Sequence, residues 1–359
     1  MITSVHIENF KCFKNFDIEL GPFNVLIGPN DSGKTAFLQA IQLVGLVSDA
    51  NLTEFTPISK VQNDFVILGI DPIDNWPWQC DKENAVRIEM KADAMDVPED
   101  CRRAFAAIKM TNKTIMGSEE LQNNHKGSKS QNWNRNAIGQ IDYFHFNPAA
   151  LRKPTRSTAA FLSTGDGLPA LIDNIRGDID NFKQFQDEFC SRFPYYKQIG
   201  RGFIRHSTPD KDLDLVEIKF TTRSDNVLPA VGVSDGVMLS LAFLALKYAR
   251  KQPGHHIFLI EEPENGVHPG ALKEIRDTLH HLSEQSGIQI ILTTHSPYLL
   301  DLVEPEEVRV FQKDDEGAVH AVKLSDFPEV EEMRKHFGAG EIWTAFDEKK
   351  IVETVRGEK

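Results

Sequence analysis

Apolar and polar positions alternate with a period of two over residues 2–8 and again over 16–28, with Phe10, Phe13 and Phe16 spaced between them. That pattern predicts a hairpin-like start running into a strand at 23–27. The period then changes: Leu38, Ile41 and Val44 recur at helical spacing and predict a helix from Lys34 to about Val47. Apolar runs at 65–70 and 85–90 read as further strands. Residues 111–140 are rich in Asn, Ser, Gly and Lys and follow no period, which reads as a mobile loop or insertion. Order resumes with a strand at 141–146. Leu171, Ile175, Phe182, Phe185 and Phe189 mark a helical stretch over 169–196, followed by strand-like runs at 201–206 and 214–221. The last third alternates most clearly: helix 235–250, strand 257–260, helix 270–285, strand 288–292, a short helix after Ser296, and strands at 307–312 and 318–323. Alternation of this kind implies a parallel sheet covered by helices.

Composition changes the picture mainly by exclusion. Of 359 residues, 40% are hydrophobic and 26% charged, enough for a core without disulfides or a structural metal. The net charge of -13 argues against a bulk electrostatic grip on nucleic acid, while leaving room for a local basic stripe. Cys12, Cys80, Cys101 and Cys190 lie too far apart for a CxxC pair and read as reduced thiols of a cytoplasmic protein. The first residues have no apolar signal core, and no stretch approaches the length of a membrane span.

Candidate chemistry gathers at three strand ends and one helix start. Gly28, Pro29, Asn30, Asp31, Ser32, Gly33, Lys34 and Thr35 fit G-x-x-x-x-G-K-[ST] between an apolar strand and an amphipathic helix. Glycines there let successive N–H groups point at phosphate oxygens, Lys34 neutralises the β- and γ-phosphates, and the Thr35 hydroxyl suits Mg²⁺. Glu261 and Glu262 follow the apolar run 257–260, where one carboxylate can orient a metal shell and the next polarise a water. Alone they would read as an acidic loop after a core strand; beside a phosphate loop they read as catalytic. Thr293, Thr294, His295 and Ser296 follow another apolar strand, where His295 can report on a γ-phosphate. Ser234, Asp235 and Gly236 open a helix and form an anion site when taken with the acid pair that follows.

The order of these four motifs resembles the ABC-type ATPase heads of the structural-maintenance-of-chromosomes (SMC), RecF and OLD (overcoming lysogenization defect) group. The opening Ile7-Glu8-Asn9-Phe10-Lys11 followed by Gly28-Pro29-Asn30 resembles the start of the chromosome-associated heads, while the segments Glu261-Glu262-Pro263-Glu264, His268-Pro269 and Gly338-Ala339-Gly340-Glu341-Ile342-Trp343 are most similar to OLD-like stand-alone ATPases. The resemblance covers about 1–50 and 228–345. It implies an α/β P-loop NTPase fold with a mixed, largely parallel sheet, flanking helices and an N-terminal antiparallel β subdomain. It further implies Gly28 to Thr35 as Walker A, Glu261 as the metal carboxylate, Glu262 as the base, His295 as the switch histidine and Ser234 to Gly236 as the signature. Two ATP molecules would be sandwiched between two copies, each signature meeting the γ-phosphate held by the other. Three positions depart from the pattern: Glu261 stands for the usual Asp, Asp235 for the first signature glycine, and His268 for the aspartate that couples the two sites. No residue is assigned as the Q-loop glutamine.

The layout expected is one ATPase domain over 1–345, with a Walker A lobe at 1–50, an insertion and helical lobe at 51–230 carrying the loop 111–140, and a lobe at 231–325 with the signature, acid pair and switch histidine. A C-terminal helix or tail occupies 346–359. Heptads for a coiled-coil arm, a CxxC hook and a toprim nuclease domain are not seen. The leading reading is therefore a Mg²⁺-dependent ATPase switch, a homodimer or larger homo-oligomer without membrane attachment. It controls a separate effector, a nuclease or toxin, in bacterial antiphage defence. The alternative is a RecF-like DNA-repair ATPase. For it stand eight basic residues between Lys109 and Arg156 against Glu119, Glu120 and Asp142, a local +5, with Arg152, Lys153 and Arg156 as DNA contacts and Trp133 for stacking.

Overall fold

The computed structural model describes residues 1–49, 56–57, 86–93, 103–110, 114–118, 140–207, 212–249 and 256–357. The strands are β1 Ile2–Phe10, β2 Phe13–Glu19, β3 Phe23–Ile27, β4 Thr56–Pro57, β5 Val86–Asp93, β6 Arg103–Met110, β7 Thr114–Ser118, β8 Gln140–Phe144, β9 Tyr196–Ser207, β10 Asp212–Thr222, β11 Val227–Pro229, β12 His256–Glu261, β13 Ile288–Thr293, β14 Val308–Lys313 and β15 Val319–Lys323. The helices are α1 Lys34–Asp49, α2 Pro148–Leu151, α3 Leu168–Arg176, α4 Ile179–Arg192, α5 Asp235–Ala249, α6 Leu272–Ser286, α7 Pro297–Leu300, α8 Val330–Met333, α9 Ala339–Ala345 and α10 Glu348–Arg356. Two compact units result: Met1–Asp142 with Gly254–Leu259 and Gly287–Lys359, and Tyr143–Pro253 with Ile260–Ser286.

In the first unit, β2-β1-β5-β6-β7-β4 form an antiparallel N-terminal sheet, and the second sheet runs β15-β14-β3-β13-β12-β8. Its centre is parallel, β3 pairing with β13 and β14, while β15 returns antiparallel to β14. The aromatic run of the first strands supplies the packing: Phe16 of β2 lies 5.8 Å from Phe37 of α1 and 5.6 Å from Phe311 of β14, ring centre to ring centre. Three elements thus meet on one fully buried ring, each such side chain contributing about 2 kcal/mol of apolar burial. One buried polar group serves as a tie between strands. The buried Gln289 amide bonds the N–H and C=O of Ile2, at 2.8 and 2.7 Å, and ties the start of β1 to β13.

In the second unit α5 is buried from Met238 to Ala245, apolar on every side as a core helix must be. Phe146 packs on its Phe243 at 5.0 Å, and Phe189 of α4 packs at 5.9 Å on Phe220 of β10 in the sheet β11-β10-β9. Glu188 of α4 collects Lys247 Nζ at 2.9 Å and the Tyr248 hydroxyl at 2.5 Å from α5, and His281 at 3.1 Å from α6. Although burial opposes it, these donors hold the Glu188 carboxyl below its ordinary range.

Several expectations change. The helical stretch 169–196 is two helices, because Gly177 ends α3 and the Asp178 carboxylate caps α4 through the Asn181 N–H at 3.1 Å. Residues 114–118, expected in a loop, form β7 against β6, itself an alanine-bearing segment of weak strand propensity. Gln140, at the far end of that loop, opens β8, and residues 111–113, 119–139 and the strand expected at 65–70 lie outside the described residues. Among the described residues no helix is long and apolar enough to cross a membrane.

Candidate functional site

β3 is buried along its whole length, and its C-terminal end is where open α/β sheets bind ligands. Gly28 follows with φ +143°, and a Cβ there would stand 2.2 Å from the Phe311 carbonyl oxygen. At Gly33, φ +97°, a Cβ would stand 2.8 Å from Val319 Cγ2 and 3.0 Å from the Cys12 sulfur. The loop is therefore seated so closely on β14, β15 and the β1–β2 turn that only glycine fits either position. Pro29, Asn30, Asp31 and Thr35 form its exposed rim, with Ser32 buried. Lys34 lies beneath, 6% exposed, its ammonium donating to the carbonyls of Gly28 at 2.9 Å and Pro29 at 2.8 Å and reaching the Ser32 hydroxyl at 3.3 Å. Two partners went unnoticed in the sequence. Lys313 reaches Asp31 at 2.5 Å, and burial pushes the Cys12 thiol up to about 11, so it stays neutral under the loop.

The Thr-Thr-His-Ser run lies in the same unit on the adjacent strand. Thr293 is in register with Leu26, and the Thr294 N–H donates to the Leu26 carbonyl at 3.1 Å, which puts the half-buried His295 level with the start of the phosphate loop. Ser296 caps α7 through the Leu299 N–H at 3.3 Å. The Gly338–Trp343 segment, unassigned by sequence, braces that turn. Asp301 accepts the N–H groups of Gly340 and Glu341 at 2.9 and 3.1 Å, and a Cβ on Gly340 would stand 2.0 Å from the Pro297 carbonyl oxygen.

In the second unit Glu261 ends β12 and Glu262 adopts φ +44°, a left-handed conformation costing a non-glycine residue about 1–3 kcal/mol. Asn265 donates to its carboxylate at 2.5 Å. The Tyr143 hydroxyl donates to Glu261 Oε2, and His145 Nδ1 lies 3.7 Å from the same oxygen. Burial, and then the two carboxylates, push the Tyr143 phenol far above its ordinary range, so it remains a donor. Neither residue stands out in the sequence; their spacing of two across the end of β8 was the available signal. His268 Nδ1 accepts the Gly270 N–H at 3.1 Å and caps its own turn.

At the helix start Ser234 is exposed, and a Cβ on Gly236 would stand 2.6 Å from Ala271 Cβ. Asp235 is ion-paired to Arg152 at 2.5 Å. The Arg152 guanidinium is committed to its own fold, which weighs against the alternative in which Arg152 contacts DNA. Lys153 pairs with Asp166 at 3.3 Å, whereas Arg156 is exposed. Trp133 and the basic residues from 113 to 135 lie outside the described residues.

The model of the family described as "AAA domain, putative AbiEii toxin, Type IV TA system" matches residues 101–301, more than half of the chain, and that of an AAA ATPase domain matches residues 1–97. The OLD nuclease of Thermus scotoductus is 25% identical over 95% of this chain, and the Old nuclease of Escherichia phage P2 is 23% identical over 93%. The chain spans 68% and 62% of those relatives' lengths. Among solved structures it is similar to an SMC head bound to the C-winged helix domain of ScpA, with a TM-score of 0.60 and 15% identity over 89% of this chain and 97% of that one. The SMC head domain from Thermotoga maritima gives a TM-score of 0.52 and 14% identity over 90% and 98%. The fold is that of an α/β P-loop NTPase with a mixed sheet, flanking helices and an antiparallel N-terminal sheet.

Proposed function

Since the chain belongs to this AAA-domain family and is an ATPase of the OLD and SMC class, we propose that it is an ATP-driven switch whose two copies close around ATP. The observation that carries the reading is the Lys34 ammonium held by loop carbonyls inside a cradle seated on its neighbours at Gly28 and Gly33, where no Cβ fits. Such a cradle fits phosphate: Lys34 exchanges its carbonyl partners for phosphate oxygens, and the loop N–H groups orient them. Thr35 and Glu261 offer hard oxygen donors. Among the described residues no group of three or more His, Cys, Asp or Glu side chains is placed to hold a metal. That suits Mg²⁺, which is usually held by one or two protein oxygens, phosphate and water. When bound, Mg²⁺ supplies charge neutralisation of the transferring phosphoryl group. Glu262 takes the proton from the attacking water, its carboxylate oriented by Asn265. His295 senses the γ-phosphate, and Ser234 to Gly236 meet the γ-phosphate on the other copy.

The output would be an effector held in a separate protein, of nuclease or toxin chemistry, in antiphage defence; likeness to OLD nucleases supports that setting. Glu262→Gln tests the assignment of the base. Turnover should fall about 10²- to 10⁴-fold with ATP still bound and retained on a desalting column. Turnover equal to the unmodified protein would remove Glu262 from the reaction.

A further inference from the structure

The signature segment carries a carboxylate where ABC-type heads carry glycine. A carboxylate at the first turn of a helix suits the helix dipole but repels an arriving phosphate. The structure supplies a counter-charge from far along the chain. Arg152, directly after α2, is 13% exposed at its side chain, and its Nη2 lies 2.5 Å from Asp235 Oδ1. The same guanidinium donates through Nη2 to the Val233 carbonyl at 2.7 Å, through Nε to Ala230 at 3.1 Å, and through Nη1 to Pro148 at 2.7 Å. Two of these partners, Ala230 and Val233, frame the turn leading into Ser234, and the third opens α2. The Arg152 stem is itself anchored, since Thr155 and Val216 of β10 exchange both backbone hydrogen bonds, at 3.0 and 2.7 Å. A guanidinium stays charged at any working pH and fixes direction as well as charge, which an ammonium in its place would not.

We propose that Arg152 is a positioning residue for the signature: it cancels the Asp235 charge and holds the 230–235 turn, so that this helix start accepts the γ-phosphate presented by a second copy. The proposal rests on the reading of the chain as an ATP-closed dimer. Three of the five guanidinium donors are spent on this segment and a fourth on the Pro148 carbonyl, which leaves little of the group for a nucleic-acid backbone.

The test uses the full chain carrying Glu262→Gln, with dimer formation followed by light scattering as ATP is raised at constant Mg²⁺. Adding Arg152→Gln leaves the carboxylate uncompensated and should raise the ATP needed for half-dimerisation about 10- to 100-fold. Adding Asp235→Gly to that variant removes the charge that needed cancelling and should recover most of the loss. Arg152→Lys keeps charge without the fork and should fall between, serving in place of Arg152→Gln if a thermal melt shows the latter unfolded. A double variant no better than Arg152→Gln would overturn the proposal and reduce Arg152 to a staple for carbonyls. A Glu262→Gln parent that stays monomeric with ATP would overturn the dimer reading and this proposal with it.

Discussion

On the proposed reading, the phosphate loop and the signature turn prepare for the same kind of ligand in opposite ways. In the loop everything needed lies within eight consecutive residues: Lys34 takes its acceptors from Gly28, Pro29 and Ser32, and the two glycines make room for them. In the signature turn the short segment Ser234 to Gly236 is incomplete by itself. Its charge balance is borrowed from Arg152, which joins it only after the chain has passed through α3, α4 and the three-stranded sheet. A self-contained site is fixed by local geometry and should fail when any one member changes. A borrowed site should fail when the compensating partner alone is lost and recover when the charge it compensates is removed as well.

Breaking the local site should give the largest effect. Lys34→Ala removes the ammonium that the loop carbonyls hold and should weaken ATP binding on the order of 100-fold or more by calorimetry, with no second substitution restoring it. An affinity within threefold of the unmodified protein would remove Lys34 from the phosphate site. Next, Gly28→Ala forces a methyl to within 2.2 Å of a β14 carbonyl and should cost about 2–4 kcal/mol, seen as a lower urea midpoint at unchanged slope. Stability unaffected by that methyl would mean the loop is not seated on β14 as described.

The mildest change sharpens the comparison. Glu261, like Asp235, has a partner borrowed from elsewhere in its unit, the Tyr143 hydroxyl. Tyr143→Phe should raise the Mg²⁺ needed for half-maximal turnover about tenfold while leaving ATP affinity without metal the same. An unchanged Mg²⁺ requirement would mean that Glu261 needs no orienting partner.

This contrast also explains what the sequence made legible. Walker A, the strand–helix alternation after Asp235 and the ends of β12 and β13 could be read because their signals are periodic and local. The Arg152–Asp235 pair, the Tyr143–Glu261 bond and the brace of Gly340 on Pro297 could not, because each joins segments whose spacing carries no period. Arg152 is the instructive case. Counted within its neighbourhood it belongs to a basic stretch suited to phosphates, yet the fold turns it inward onto three carbonyls and a carboxylate. The split of the stretch 169–196 has a local signal after all, Gly177-Asp178, overridden by the run of apolar residues on either side. β6 and β7 escaped notice because alanine and glycine dilute their alternation.

The central claim, a switch closed by ATP, is tested most directly by the solution mass of the Glu262→Gln protein. Light scattering would be recorded without nucleotide and again with ATP and Mg²⁺. The account predicts a monomer that becomes a dimer when ATP is added and reverts when ATP is removed. One mass under both conditions would contradict it.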